Sequence, residues 1–455
     1  MLKVLLNNRF VIFSIIITAS VLIGILATFQ IINYTVLLMG LIILYFLIIK
    51  KELSLIYLVL FSSILLPYIN LGSFIATIRF EDLIIFLMGT KIILDSFYAR
   101  KFQMSLIEVL LLLLFFILIL SSSYSLFYSG SSELLIIGHL KFLIVFFLFN
   151  FVRKRIHKEE DIKKVIKAFI TFSLVSLIIG ILAYQRWFGV FDLVNILYPS
   201  PSGSISTLRA TGTFDGNPNY FGTLLLLLFC FSFSFFINQQ KRYNQIILLV
   251  IALLSLYGIF ITRSRGVFLA LIISFIVIAL FKKKVALLVG TIFFTIVIAL
   301  VNDNILSYFT SITTTSGVKM SRIGSITDRI NMWEGGLKEF AERNLMGSGL
   351  SNHIVVDNYY LDILFTYGFL GLLFQLLIII SLIYYGIVVI KNSKKHFIIS
   401  FSVCYVSFSI GLLVQSISAS PITNERISIL YWIFSAIVYT IYSNQKNSEI
   451  EGKVL

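Results

Sequence analysis

Apolar runs of about 17 residues or more recur from one end of this chain to the other, each long enough for a bilayer core of roughly 30 Å. Residues in hydrocarbon have no water to satisfy their backbone, so segments of this kind must be helices that bond internally. Candidate spans fall at 10–29, 31–49, 53–69, 83–98, 104–127, 133–152, 168–186, 219–237, 246–262, 266–281, 285–301, 359–390, 397–416 and 427–443. The expected fold class is therefore all-α, a polytopic integral membrane protein of about 14 (12–14) helices. All 455 residues read as one membrane domain, of which 59% are hydrophobic and 13% charged, a balance outside that of soluble domains. The start, Met1 to Arg9 followed by an apolar run, resembles a signal peptide. No convincing small-residue cleavage site follows, so it reads as an uncleaved first helix.

The net charge of +15 raises nucleic-acid binding as one reading, but the cations occur mostly as short clusters between apolar runs, the pattern of topology signals. Counting gaps alternately, 23 of the 36 Lys and Arg residues fall on one side and eleven on the other, with Lys91 and Lys141 inside spans. The cation-rich side is the cytoplasmic one, which places both termini in the cytoplasm. Cys230 and Cys404 both lie within apolar runs and read as small core residues.

Two outer gaps are long, 187–218 and 302–358, and neither is of low complexity. Loops of this length are usually functional or disordered, and these read as functional. In the second, SITDRINMWEGGLKEFAERN (325–344) sets Ile326, Ile330, Trp333, Leu337 and Phe340 at helical spacing. That predicts an amphipathic helix on the membrane surface, capped by Ser325 or Thr327.

Nine of the eleven outer cations are arginine, whereas the inner set is mostly lysine. Topology requires only positive charge, and lysine supplies it. Arginine adds a planar fork that holds phosphate at two points and stays charged when partly desolvated. An outer set of arginines at membrane level suggests a phosphate-bearing ligand presented from the lipid. The simpler reading is that they snorkel to headgroups or pair with acids such as Asp303 or Asp328. Three stretches concentrate the signal. LRATGTFDGNPNYFG (208–222) is turn-rich and enters a span, a backbone suited to an anion, or simply a helix-entry loop. ITRSRG holds Arg263 and Arg265 between two runs. GSGLSNHIVVDNYYLDILFTYGFLG (347–371) carries His353, Asp357 and Asn358 ahead of a span, where Asp357 or Asn358 would serve equally as an N-cap.

In combination these stretches resemble the O-antigen ligase and polymerase superfamily. SRG opens a span; a long outer loop then holds R-x-x-x-W-x-x-G (Arg329, Trp333, Gly336) and NLMGSG (344–349); DNYYL and YGFLG follow. RATGTFDGNPNYFG and IRFEDLIIFL (78–87) also suit it, and the resemblance is strongest over 205–380. It implies chemistry on oligosaccharide units carried by a polyprenyl diphosphate at the outer face of the plasma membrane (the bacterial inner membrane). Ligases of the superfamily typically place a histidine immediately before the loop asparagine. Here that position is Asp357, with His353 four residues earlier, which favours a Wzy-type polymerase of capsule, exopolysaccharide or O-antigen repeat units.

The resemblance then implies a glycosyltransferase with no metal and no cofactor. Arg209, Arg263, Arg265, Arg322 and Arg329, with Asn217 and Asn358, are the candidates to hold the diphosphate. Asp357, with His353 behind it and Arg265 stabilising the leaving group, are the catalytic candidates. Glu81 and Asp82 read as ion-pair partners of Arg79 rather than catalysts. No outer DxD, HExxH or GxxxxGK[ST] occurs. Expected partners are the lipid-linked oligosaccharide and membrane lipid, with a chain-length regulator and a flippase also admitted, and no nucleic acid. Ligase-type transfer to a lipid acceptor and a lipid-linked oligosaccharide flippase are the alternatives; a flippase is expected to carry its charges at mid-membrane depth and to have short loops on both sides.

Overall fold

The computed structural model describes residues 52–67, 79–98, 104–129, 135–198, 209–239, 241–282, 321–342, 347–349 and 356–454. Among them the regular structure is helical, with no strand. The helices are α1 (Glu52–Leu65), α2 (Phe80–Tyr98), α3 (Leu106–Ser129), α4 (Leu135–Arg155), α5 (Glu159–Tyr184), α6 (Val190–Leu197), α7 (Pro218–Asn238), α8 (Arg242–Thr262), α9 (Arg265–Lys282), α10 (Ser321–Glu342), α11 (Tyr359–Asn392), α12 (His396–Gln415) and α13 (Glu425–Val454). Eight of these, α3, α5, α7, α8, α9, α11, α12 and α13, are long and apolar enough to cross a bilayer. The chain is an all-α multi-pass membrane protein. The spans expected at 10–29, 31–49 and 285–301 lie outside the described residues, so the total of fourteen is not established.

The helices depart from the expected spans where polarity and backbone part company. α5 begins at Glu159, inside the cationic run, because Glu159, Glu160 and Asp161 place carboxylates in its first turn, where the helix dipole favours them. The outer loop 187–218 contains α6, whose Val194 packs against Ala183 and Tyr198. α10 starts at Ser321, so Ser325 and Thr327 lie within the helix rather than at its cap. Its Gly336 meets the Phe365 ring, and the Phe340 ring lies tilted against the same ring, 6.2 Å between centres, so one face of α10 packs on α11. Ile330, Met332 and Leu337 remain exposed.

α7, α12 and α13 form the centre. Residues 221–234 of α7 are buried without interruption. Phe231 meets Phe434 at 4.9 Å and Phe401 at 6.0 Å, and Phe169 of α5 closes the group at 5.2 Å from both Phe231 and Phe434. Within lipid such association is driven by close packing and by hydrogen bonds between helices, because lipid tails are as apolar as the side chains. Ser234 Oγ donates to the Ser400 carbonyl at 2.7 Å and Ser274 Oγ to that of Ser407 at 2.9 Å. Cys230 and Cys404 are buried free thiols in this core.

Two groups of ion pairs mark the two ends of the bundle. At one end, Arg153 meets Glu108 at 2.8 Å, Arg155 meets Glu52 at 2.9 Å, Lys91 meets Glu52 at 3.0 Å, and Lys395 meets Glu159 at 3.2 Å. Apart from Lys91, which lies within α2, these residues come from the ends of α1, α3, α4, α5 and α12 that the Lys and Arg bias assigns to the cytoplasm. At the other end lie Arg79, Asp215, Glu425 and Arg426. Among the described residues, each group of ion pairs joins helix ends that the count of Lys and Arg put on the same side.

Candidate functional site

The second of these ends gathers the starts of α7, α9, α11 and α13 with the finishes of α8 and α12. Asn217 caps α7, its Oδ1 accepting from the backbone of Asn219 at 2.9 Å and Tyr220 at 3.4 Å. The following Pro218 has no N–H to satisfy. The first-turn donors of α7 are thus committed to the helix's own cap rather than held open for an anion. Asn358 does the same for α11, accepting from Tyr360 at 3.0 Å and Leu361 at 3.2 Å. The cap therefore falls to Asn358, which is buried, and Asp357 beside it is exposed.

Arg209 joins the first and second motifs. Its Nε donates to the Thr262 carbonyl at the end of α8 at 2.9 Å, and its Nη2 to Asn219 Oδ1 at 3.1 Å. The same Asn219 oxygen accepts from Ser264 Oγ at 2.8 Å. Asn219 therefore bridges Arg209 to the residue lying between Arg263 and Arg265. Arg263 ends α8 in the left-handed region, with φ 50°, and is exposed; Arg265 opens α9. Residues Thr262 to Gly266 thus form a turn that carries two guanidiniums, with a third hydrogen-bonded to its first carbonyl.

The finish of α12 seats this turn against α11. Gln415 Nε2 donates to Thr223 Oγ1 of α7 at 2.7 Å. A Cβ on Gly266 would stand 2.3 Å from Ser418 Oγ, so the turn and the residues after α12 lie in close approach. Tyr359 N–H donates to the Ser416 carbonyl at 2.9 Å, and Tyr360 hydroxyl to that of Leu413 at 2.7 Å. Tyr220 of α7 lies within electrostatic range of both Asp357 and Asp362. The RATGTFDGNPNYFG, RSRG and DNYYL stretches, separated in sequence, meet here.

α11 is broken. Gly368 has φ 77° and ψ −177°, a conformation open essentially to glycine alone. The carbonyls ahead of the break find partners elsewhere. Phe365 accepts from Ser348 N–H at 2.6 Å and from Ser348 Oγ at 3.0 Å. Thr366 accepts from Gly349 N–H at 3.0 Å and from Ser121 Oγ at 2.9 Å. The GSG of residues 347–349 thus satisfies a helix interruption, the condition for tolerating one at membrane depth.

Arg329, Trp333 and Gly336 are spaced i, i+4 and i+7 on α10 and share one face. Gly336 lets that face approach Phe365, and Trp333 packs in the same small cluster. Arg322 and Arg329 fall in the first half of α10, and His353 lies outside the described residues.

A charge network missed by the sequence reading supports the site from behind. Arg426 is 1% exposed; Nη2 donates to the Leu66 carbonyl at 2.8 Å and lies 3.2 Å from Asp215, and Nη1 donates to the Thr213 carbonyl. Its guanidinium sits 5.5 Å from the Phe214 ring centre. Arg79 reaches Glu425 at 2.9 Å, Asp215 at 3.4 Å and Glu81 at 4.0 Å, and its backbone N–H donates to Asp82 at 3.0 Å. Glu81 and Asp82 are therefore partners of Arg79, as expected. Burial alone would lower the Arg79 pKa, but the carboxylates of Glu425, Glu81, Asp215 and Asp82 outweigh it and hold the group charged. Lys141, set within a span, pairs with Glu425. The signal that would have found Arg426 is its place in a short, polar turn beside Glu425, opposite an Asp in the first motif.

Residues 250–376 match a family model described as O-Antigen ligase (Wzy_C). The matched segment runs from α8 through the arginine turn and α10 to the broken part of α11. The chain is also 26% identical over 254 residues to an O-antigen polymerase of Salmonella muenchen, a stretch that covers 51% of this chain and 60% of that protein. Both similarities support the O-antigen ligase and polymerase superfamily that the motifs resemble.

Proposed function

We propose that this chain polymerises polyprenyl-diphosphate-linked oligosaccharide repeat units at the outer face of the plasma membrane. The observation that carries the reading is the tie of Arg209 and Ser264 to the same Asn219 oxygen, which fixes Arg209 against the turn that carries Arg263 and Arg265 at the end of the bundle where α11 starts beside Asp357. Arg322 and Arg329 are read as further members of the cationic set, and His353, four residues before Asp357 in the sequence, as a second candidate base. Asn217 and Asn358 contribute by capping and so fixing the two loops.

The chemistry follows from the leaving group. The anomeric carbon of the donor is already activated by diphosphate. A hydroxyl oxygen of the acceptor unit attacks that carbon, the C–O bond to diphosphate breaks, and the lipid diphosphate departs with the electron pair. The hydroxyl proton passes to Asp357. Negative charge gathers on the diphosphate as the bond breaks, and guanidiniums fixed in advance stabilise it most there. Each charge-assisted hydrogen bond contributes about 1.5–3 kcal/mol, and loss of one such donor typically costs roughly 10²–10³ in rate. The arginines fill the electrostatic role that a metal ion plays in other transferases.

The reading is tested by incubating purified protein in lipid nanodiscs or vesicles with lipid-linked repeat units. A ladder of products supports polymerisation. Transfer to a different lipid assigns ligase chemistry, and movement across a vesicle without new bonds assigns a flippase. Asp357→Asn is expected to abolish the ladder while the protein stays in the membrane. Unaltered glycan length in that variant removes Asp357 from the mechanism.

A further inference from the structure

Behind the first turns of α11, away from the arginine turn, lies a cavity of about 550 Å³ between α2, α3, α4, α11 and α13. Its size is that of a site for a small molecule. Its wall is mixed. Asp82, Asp362 and Glu425 place three carboxylates on it; Glu425 is paired with Lys141, which also lines the cavity, and with Arg79 behind it, so the carboxylates of Asp82 and Asp362 set its polarity. Trp432 and Tyr367 add aromatic surface, and Gln375 donates to the Tyr359 hydroxyl at 2.7 Å.

This lining selects its occupant by chemistry. An excess of carboxylate repels a diphosphate, which the arginine turn instead attracts. A polyprenyl or acyl chain carries no hydrogen-bond donors, and leaving buried carboxylates and amides against hydrocarbon is costly. Sugar rings supply many hydroxyl donors to carboxylates and an apolar C–H face to aromatic rings. The cavity also communicates with the transfer site. Asp362 lines it one turn along α11 from Asn358, the cap residue next to Asp357.

We propose that this cavity is the acceptor subsite, holding the uncharged sugar rings of the incoming repeat unit so that its terminal hydroxyl reaches Asp357 around the start of α11. The proposal rests on the glycan-transfer reading above. It divides the substrates by charge, with diphosphate on one side of a short helical segment and neutral oligosaccharide on the other.

The test uses the full chain in nanodiscs with Trp187→Phe and Trp333→Phe, so that Trp432 alone reports. The probe is the repeat-unit oligosaccharide released, free of lipid and phosphate, from the surface polysaccharide of the source cell. A saturable change in Trp432 emission is expected. Asp362→Asn should weaken it by about tenfold, the loss of one charge-assisted contact, and Thr423→Phe should weaken it at least as much by filling the cavity. Radiolabelled polyprenyl diphosphate should bind those two variants as it binds the parent and should lose affinity in Arg265→Ala. Absence of a saturable signal, a signal indifferent to both cavity variants, or quenching of Trp432 by brominated acyl chains overturns the acceptor subsite. Polyprenyl diphosphate binding that ignores Arg265 overturns instead the transfer reading on which it rests.

Discussion

Arginine serves two purposes in this chain, and only burial separates them. Arg426 is enclosed, with its N–H groups on two backbone carbonyls and its charge against Asp215. Breaking a buried pair from one side costs about 3–5 kcal/mol, because the abandoned charge remains buried. Arg426→Met is therefore expected to lower thermal stability in detergent sharply, and activity with it, as a melting curve will show. Arg265 opens a helix at the turn that also carries Arg263 and to whose first carbonyl Arg209 is bonded, and its replacement tests geometry rather than folding. Arg265→Lys keeps the charge but loses the fork, and polymerisation should fall by roughly 10²-fold with the melting temperature unchanged. Full activity with lysine would mean that charge alone suffices. The sequence distinguished outer arginines from inner lysines, but it could not show that Arg426 is a buried tie while Arg265 stands at the turn. Both sit in short polar gaps, and nothing in their neighbours reports depth. Similarly, Asn217 and Asp357 looked alike as polar residues before an apolar run. The structure gives capping to Asn217 and Asn358 and leaves Asp357 exposed.

Among the elements, α11 shows what hydropathy does not record. Residues 359–390 form one apolar run in the sequence, and the element spans Tyr359–Asn392, yet its backbone is interrupted at Gly368. Apolarity reports the surroundings of the side chains and is blind to a change of φ and ψ inside them. The YGFLG motif located the glycine, and the GSG of 347–349 supplies the donors that its carbonyls need, but their partnership is a fact of three dimensions. Gly368→Ala should cost about 1–3 kcal/mol from backbone strain and displace the entrance of α11 from the α12 finish. The expected outcome is a lower melting temperature and a polymerisation defect greater than the fraction of protein lost. An active, equally stable Gly368→Ala protein would show that the break is incidental. α10 is the converse case: its helical spacing was legible, while its start and the α11 face it covers were not. Helix starts depend on local caps, and packing depends on a residue, Phe365, far along the chain.

At the scale of the whole molecule, charge sets orientation twice. Lysine-rich gaps define one end, and the ion pairs of Arg153 with Glu108, Arg155 with Glu52 and Lys163 with Glu159 gather there. The arginine turn, the broken helix and the Arg79–Glu425–Asp215–Arg426 network occupy the opposite end. A membrane-impermeant maleimide applied to intact cells with the outer barrier opened should label Arg263→Cys and spare Lys163→Cys. The reverse pattern would invert the assignment of sides while leaving the internal alternation intact. The account stands most directly on where a lipid diphosphate binds. A map of the chain in nanodiscs with polyprenyl diphosphate should show the two phosphates within hydrogen-bond reach of Arg265 and its neighbours at the 262–266 turn. Phosphate density among the lysines of the opposite end, or saturating ligand with none at this turn, would contradict it.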